Sequence, residues 1–302
     1  MNTTLLKRLN KADSRSRGLM LLLLFTLPLG WKEFTNFWLL LYLLHSLFTL
    51  KHWQWREAFR NPVVWASLLF FAWHALSLIW SAHVVKGLFQ LESKMSFLLF
   101  PLLIVAQRKI WTARTGRRAA GAFVAGNVLV LVLALGESLY KVLREGSLQL
   151  LSPGGTYRRF AFTYEELASP FMHPGYLALH IGMALIILLV WWAKNNLPLG
   201  KYKTAALAAF LFLGLVLIQG RAALLAFLIV MGVASAVWLV KQNGRRGLPW
   251  LLVPLLLLAL VIYGAPRQIK NRYLAFPNFE YNISGSDFNS ATYRLAEWRC
   301  AW

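Results

Sequence analysis

Long apolar runs separated by short clusters of basic residues constrain this chain more than any other feature of its sequence. A helix needs about 20 mostly apolar residues to cross the hydrocarbon core of a membrane, and the chain offers roughly nine such runs. Its apolar fraction of 58% and charged fraction of 14% also differ from those of a soluble protein. The sequence therefore predicts an all-α, polytopic integral membrane protein with about nine transmembrane helices and two longer outer segments.

The ends of the predicted spans are set by turn residues and by interfacial tryptophan and tyrosine. The first two spans are short and flank a polar patch at Lys32 and Glu33, so they form either a tight hairpin or one span with an interfacial segment. We favour the hairpin. The spans are expected near residues 18–30, 36–50, 62–80, 95–107, 119–140, 176–193, 204–219, 222–240 and 247–265.

The formal net charge of +21 indicates orientation in a membrane rather than nucleic-acid binding, because the basic residues lie in the connections between apolar runs. With the leader 1–17 inside the cell, the inner segments hold more than half of the Lys and Arg residues, and Asp13 and Glu57 are their only acidic residues. This distribution satisfies the positive-inside rule. We expect a cytoplasmic basic leader (1–17), a transmembrane helical domain (18–265) that includes an outer loop (141–175), and the start of a large outer loop (266–302).

The sequence gives no sign of a bound cofactor or metal. It contains no Gly-rich phosphate loop and no dinucleotide or zinc-protease motif. Its single cysteine, Cys300, excludes a disulfide within the chain, and no Cys and His residues have metal-site spacing. We predict neither cofactor nor structural metal.

The first outer segment, 141–175, contains candidate substrate-binding residues. Arg158 and Arg159 form a paired positive charge, with salt bridges to acidic residues or contacts to lipid headgroups as the alternative. His173 precedes Pro174 and the next span, where an imidazole is placed to contact a phosphate or a sugar hydroxyl. The alternative for His173 is that it only caps the start of that helix.

An arginine between two apolar runs is the most specific feature of the outer face. Arg221 follows Gly220 in a connection of only a few residues. A charge at membrane depth costs a few kcal/mol unless it is paired or hydrated, so it indicates either a function or a helix-end residue that extends to the headgroups. The planar, permanently charged guanidinium is well suited to holding a diphosphate.

The second outer segment contains a predicted interfacial helix. Ser290 is its expected N-cap, and Arg294 and Glu297 fall on adjacent helical positions. The alternative is an amphipathic surface helix in which Arg294 only pairs with a neighbour.

Three motifs resemble those of the O-antigen ligase and polymerase superfamily. They are the HPGY entry to a span at His173, the hairpin sequence GRAALLAF that starts at Gly220, and the pattern S-x-T-Y-R-L-x-x-W that starts at Ser290. The resemblance implies that Arg221 and Arg294 are the catalytic arginines that hold the diphosphate of an undecaprenyl-linked glycan, and that Arg158, Arg159 and His173 contribute to substrate binding.

The activity implied by this resemblance is a metal-independent glycosyl transfer at the periplasmic face of a bacterial inner membrane. A hydroxyl of lipid A–core would attack the anomeric carbon of the lipid-linked glycan and displace undecaprenyl diphosphate, with arginines stabilising the leaving charge. The family takes its general base from a histidine later in the large periplasmic loop. Because the sequence stops at Trp302, we expect a truncated product or fragment that is inactive alone, and His173 is a poor substitute for that base.

Other functions are compatible with the same sequence. An O-antigen polymerase would use a second lipid-linked glycan as acceptor, and a protein O-oligosaccharyltransferase would use a protein hydroxyl. A membrane transporter or flippase is less favoured, because it would show internal repeats and charges at mid-membrane, whereas most charges here lie at span ends. What the resemblance implies, and what we expect, is an O-antigen ligase that contacts the two glycolipid substrates and membrane lipids but no nucleic acid.

Overall fold

The computed structural model describes residues 3–48, 54–81, 84–107, 112–151, 158–163, 166–167, 171–195, 197–243 and 263. These residues are almost entirely helical, which confirms the prediction of an all-α fold. The helices are α1 (Thr3–Thr26), α2 (Lys32–Phe48), α3 (Trp55–Ala58), α4 (Pro62–Ser77), α5 (Val84–Ala106), α6 (Ala113–Glu145), α7 (Pro174–Ala193), α8 (Lys201–Ile218) and α9 (Arg221–Asn243).

Several of these helices are long and apolar enough to cross a membrane. Among the described residues there are five, namely Pro62–Trp80, Val84–Ala106, Ala113–Glu145, Pro174–Ala193 and Lys201–Ile218. Large apolar side chains on them are exposed, including Trp73 at 71% and Trp80 at 75%, as expected of surfaces that face lipid. The protein is thus a polytopic membrane protein. The total of nine spans stays a prediction, since the last one falls outside the described residues except for Tyr263.

The first two helices form the predicted hairpin. A short 3-10 turn, Leu27–Leu29, ends α1, and Gly30 adopts the left-handed conformation (φ 69°) that reverses the chain before α2. Met20 and Leu23 of α1 pack with Tyr42 of α2 in one buried cluster. The two helices therefore pack as a hairpin, and it stays a prediction that both of them cross the membrane.

The fourth predicted span belongs to a helix that begins well before residue 95, so the predicted start is wrong. Helix α5 begins at Val84 and continues through Glu92 and Lys94. These charged residues interrupt the apolar run, which is why hydropathy places the start too late. Glu and Lys are nevertheless strong helix formers, so the backbone stays helical through them.

The outer segment 141–175 contains a small antiparallel hairpin that was not predicted. Strand β1 (Gln149–Leu151) pairs with β2 (Arg158–Phe160), with Gln149 opposite Phe160 and Leu151 opposite Arg158. The Ala161 N–H donates to the Leu148 carbonyl at 3.0 Å and extends the pairing by one bond. The sequence Pro153–Gly155 favours a turn between these strands, but it lies outside the described residues.

The chain forms two compact units, each with its own packing. The first comprises Met1–Ala134 and Ile187–Leu211, and the second Leu135–Ile186 and Phe212–Trp302. The first unit contains a buried polar chain, in which the Tyr42 hydroxyl donates to Gln107 Oε1 (3.1 Å) and Gln107 Nε2 donates to Ser46 Oγ (2.9 Å). Satisfying these groups internally allows them to be buried, because an unpaired buried polar group is costly.

The second unit has an apolar interior made by α7, the end of α8 and the start of α9. Its fully buried side chains include Leu177, Ile181, Leu215 and Ile218. The rings of Phe212 and Phe227 lie 6.3 Å apart and join α8 to α9. This packing fixes the positions of the starts of α7 and α9, where His173 and Arg221 lie in the sequence.

Candidate functional site

The turn between α8 and α9 is as short as the sequence predicts. Helix α8 ends at Ile218, and Gln219 takes a positive φ of 55°. The Gly220 carbonyl accepts the N–H of Leu224 at 2.9 Å, so Gly220 caps α9 and Arg221 is the first residue of that helix. The first N–H groups of a helix lack partners within it and carry partial positive charge. The backbone at the start of α9 therefore contributes positive potential at this turn.

Gly220 lies directly against α7. A Cβ atom at this position would collide with the Cβ of Ala178, so only glycine permits the observed separation of the two backbones. Further along, a Cβ at Gly182 would lie 3.9 Å from the Cβ of Phe227. Both contacts advance in the same direction along α7 and α9, so the two helices run side by side and parallel.

His173 caps the start of α7. Its carbonyl accepts the N–H groups of Tyr176 (3.0 Å) and Leu177 (3.2 Å), and its Nδ1 accepts the N–H of Gly175 at 3.2 Å. The ring packs edge-on to Tyr176, with centroids 5.8 Å apart, and is exposed. The capping role that we considered as the alternative is therefore present in the structure.

The hydrogen bond from Gly175 has a chemical consequence for His173. A neutral imidazole that accepts at Nδ1 carries its proton on Nε2. The exposed Nε2 is then a hydrogen-bond donor, suited to a phosphate or sugar oxygen, and it has no lone pair with which to take a proton. This tautomer fits a binding residue and disfavours a general base.

Two of the sequence motifs thus meet within the second unit. The HPGY entry supplies the N-terminus of α7, and GRAALLAF supplies the N-terminus of α9, at the same end of two parallel, adjacent helices. This end is positive because it combines two helix N-termini, the cationic residue Arg221 and the N–H donor of His173. Such an arrangement favours an anionic ligand.

Of the remaining predicted site residues, the structure describes the backbone of Arg158 and Arg159 but not Arg294. Arg158 and Arg159 are consecutive residues of β2, opposite Leu151 and Leu150 of β1. Arg294 and the predicted interfacial helix at Ser290 lie outside the described residues. Among the residues described, no three His, Cys, Asp or Glu side chains come together in a way that would hold a metal ion.

Sequence reasoning missed Gln219 as a candidate. It is only 4% exposed and adopts a backbone conformation that few residues other than glycine take. A polar residue buried at a strained turn beside Arg221 is a candidate for positioning the turn. The sequence feature that could have identified Gln219 is its position directly before Gly220, as a polar residue between two apolar runs.

Comparison with known proteins gives one match. Residues 205–302 match the family described as O-antigen ligase (Wzy_C), a region that includes most of α8, the Gly220–Arg221 turn and the position of Arg294. No curated protein and no solved structure matches the chain. The match supports an O-antigen ligase or polymerase type of function, with lipid-linked glycans as the class of substrate. The match supports the resemblance to the O-antigen ligase superfamily that the sequence motifs indicate, over residues 205–302.

Proposed function

We propose that this chain belongs to a glycosyltransferase of lipopolysaccharide assembly, which moves O-antigen glycan from undecaprenyl diphosphate to lipid A–core. The transfer takes place at the periplasmic face of the inner membrane and requires no metal. The family match supports the reaction class. The preference for a ligase over a polymerase or a protein O-oligosaccharyltransferase is our own.

The contact between Gly220 and Ala178 carries this proposal. It draws Arg221 and the His173-capped start of α7 to one end of two parallel helices, where their charges and dipoles add. A diphosphate leaving group gains negative charge as the glycosidic bond breaks. Donors already fixed towards that charge lower the barrier without reorganising during the reaction.

Each candidate residue has a distinct role in the proposed mechanism. Arg221 and Arg294 are the catalytic residues, which hold the diphosphate through bidentate hydrogen bonds. His173 donates from Nε2 to a phosphate or sugar oxygen, and Arg158 and Arg159 bind the glycan donor as it approaches. The acceptor hydroxyl must lose its proton to a general base, for which the tautomer of His173 is unsuited.

Complementation tests the proposal. The chain would be expressed alone, and with any downstream sequence that its gene encodes, in strains that lack either the O-antigen ligase or the O-antigen polymerase. Lipopolysaccharide would be analysed on gels. We expect smooth lipopolysaccharide only in the ligase-deficient strain.

The other outcomes have definite meanings. Restoration of long glycans only in the polymerase-deficient strain would replace the ligase with a polymerase. Glycosylated periplasmic proteins without smooth lipopolysaccharide would indicate an oligosaccharyltransferase. No product in any strain, with the protein present in the membrane, would contradict the proposal.

A further inference from the structure

An apolar groove lies in the first unit, away from the Gly220–Arg221 turn in sequence. It is bounded by α6, the end of α7, the connection that follows α7, and α8, and its lining includes Gly121, Ala125, Val128, Trp191, Leu199 and Leu207. Its volume is about 580 Å³. That volume lies within the roughly 300–1,000 Å³ typical of sites for small ligands.

The groove has almost no polar lining. All of the residues named above are apolar, and Ala125 and Leu199 are exposed along it. A Cβ at Gly121 would lie 3.8 Å from Cη2 of Trp191, so the glycine lets the indole ring form one wall. An open apolar groove fits a flexible hydrocarbon chain better than a polar substrate.

Basic residues follow each wall towards the same end. Arg118 lies three residues before Gly121 on α6, Lys194 three residues after Trp191, and Lys203 four residues before Leu207 on α8. Residues three or four apart lie on one face of a helix, so each wall carries a cation about one turn beyond its apolar part. All three are exposed, and within the part of the chain that the structure describes they form no ion pair with a carboxylate.

We propose that this groove is a binding site for one anionic glycerophospholipid, with an acyl chain along α6 and the phosphate among Arg118, Lys194 and Lys203. Basic pockets between transmembrane helices on the cytoplasmic side are suited to anionic headgroups. The proposed topology places this end of α6, α7 and α8 at the inner leaflet. The site holds its lipid whether or not glycan transfer occurs.

The positive-inside rule alone accounts for basic residues at this end, but it predicts exchangeable lipid around the protein rather than one retained molecule. Native mass spectrometry of the purified full chain in mild detergent distinguishes one retained lipid molecule from exchangeable lipid. Phosphatidylglycerol and phosphatidylcholine with identical acyl chains are the probes, each titrated separately. We expect one phosphatidylglycerol bound per chain, and binding at least about tenfold tighter than that of phosphatidylcholine, because several cations each favour the anionic headgroup.

Two kinds of variant locate the site. Ala125→Trp fills the groove and abolishes retention, whereas Leu133→Trp, on the same helix but outside the groove, retains the lipid. Val128→Phe is a second filling variant in case Ala125→Trp does not fold. Replacing Arg118 and Lys203 with Gln weakens phosphatidylglycerol binding by roughly fivefold per residue and leaves phosphatidylcholine unchanged.

Several results would overturn the proposal. These are equal retention by Ala125→Trp and Leu133→Trp in folded protein, equal binding of the two lipids, binding of inorganic phosphate in place of the lipid, and a dimer whose interface fills the groove. None of these results bears on the complementation test, so a failure of the lipid site and a failure of the proposed transferase are distinguishable.

Discussion

His173 shows how one side chain combines a structural and a proposed chemical role. Its Nδ1 accepts the N–H of Gly175 and so completes the first turn of α7, while Nε2 remains exposed. The sequence places this histidine before a span, but both roles were open. The hydrogen bond to Gly175 is a local geometric fact that sequence spacing does not contain.

The two roles of His173 are separable by substitution. Asparagine also caps helices, so His173→Asn should retain stability, whereas His173→Ala should lower it by about 1 kcal/mol. Glycan transfer should fall in both variants, because neither keeps a donor at the position of Nε2. Thermal unfolding and smooth lipopolysaccharide yield would be measured in parallel. Full transfer by His173→Asn would show that the residue is a cap and nothing more.

Arg221 could be singled out from its sequence alone, whereas its surroundings could not. A cation between two apolar runs is conspicuous on energetic grounds. Its neighbour across the helix interface, Ala178, is a common residue in an apolar run and carries no signal. Long-range packing of this kind depends on how helices come together, which hydropathy does not encode.

At the scale of helices, the packing of α9 against α7 depends on Gly220. An added methyl group there would meet the Cβ of Ala178, which is fixed to the backbone and has no rotamer to change. The helices would have to separate, and Arg221 would move relative to His173. The proposed site is thus sensitive to a substitution that adds no charge and removes no functional group.

Gly220→Ala should lower the free energy of unfolding by about 1–3 kcal/mol, the usual cost of overpacking, and should also reduce transfer. Gly232→Ala is the matched control, since a Cβ at that position of α9 meets nothing within 4 Å. That variant should be unchanged or slightly more stable, because alanine is the better helix former. Equal thermal stability of the two variants would argue against the close contact.

Element types were predicted better than element ends. Apolar runs of the right length identified the long helices that the structure describes, because burial of backbone groups in lipid leaves the chain few alternatives. The four-residue helix α3 was not predicted. The start of α5 was misplaced by its charged residues Glu92 and Lys94, and the β1–β2 hairpin was missed. Strands of three residues have too few side chains to show an alternating pattern, so their pairing depends on contacts rather than periodicity.

For the molecule as a whole, the proposed orientation puts the two ends of α6 on opposite sides of the membrane. Arg114 and Arg144 are exposed residues near the start and end of that helix. In a Cys300→Ser background, Arg144→Cys should react with a membrane-impermeant maleimide from the periplasm. Arg114→Cys should react only after the membrane is opened. The reverse pattern would invert the topology and remove the periplasmic site.

The central claim is that the arginine at the turn between α8 and α9 stabilises the departing diphosphate. The most direct measurement is the initial rate of glycan transfer from undecaprenyl diphosphate to lipid A–core by purified Arg221→Lys protein, prepared with any downstream sequence that its gene encodes. Lysine keeps the charge and loses the planar pair of donors, so we predict a loss of at least about 100-fold. Arg144→Lys, a control on the same proposed side of the membrane, should retain the full rate. If Arg221→Lys transferred glycan as fast as Arg144→Lys, the diphosphate would not be held by this guanidinium, and the account of the site would be wrong.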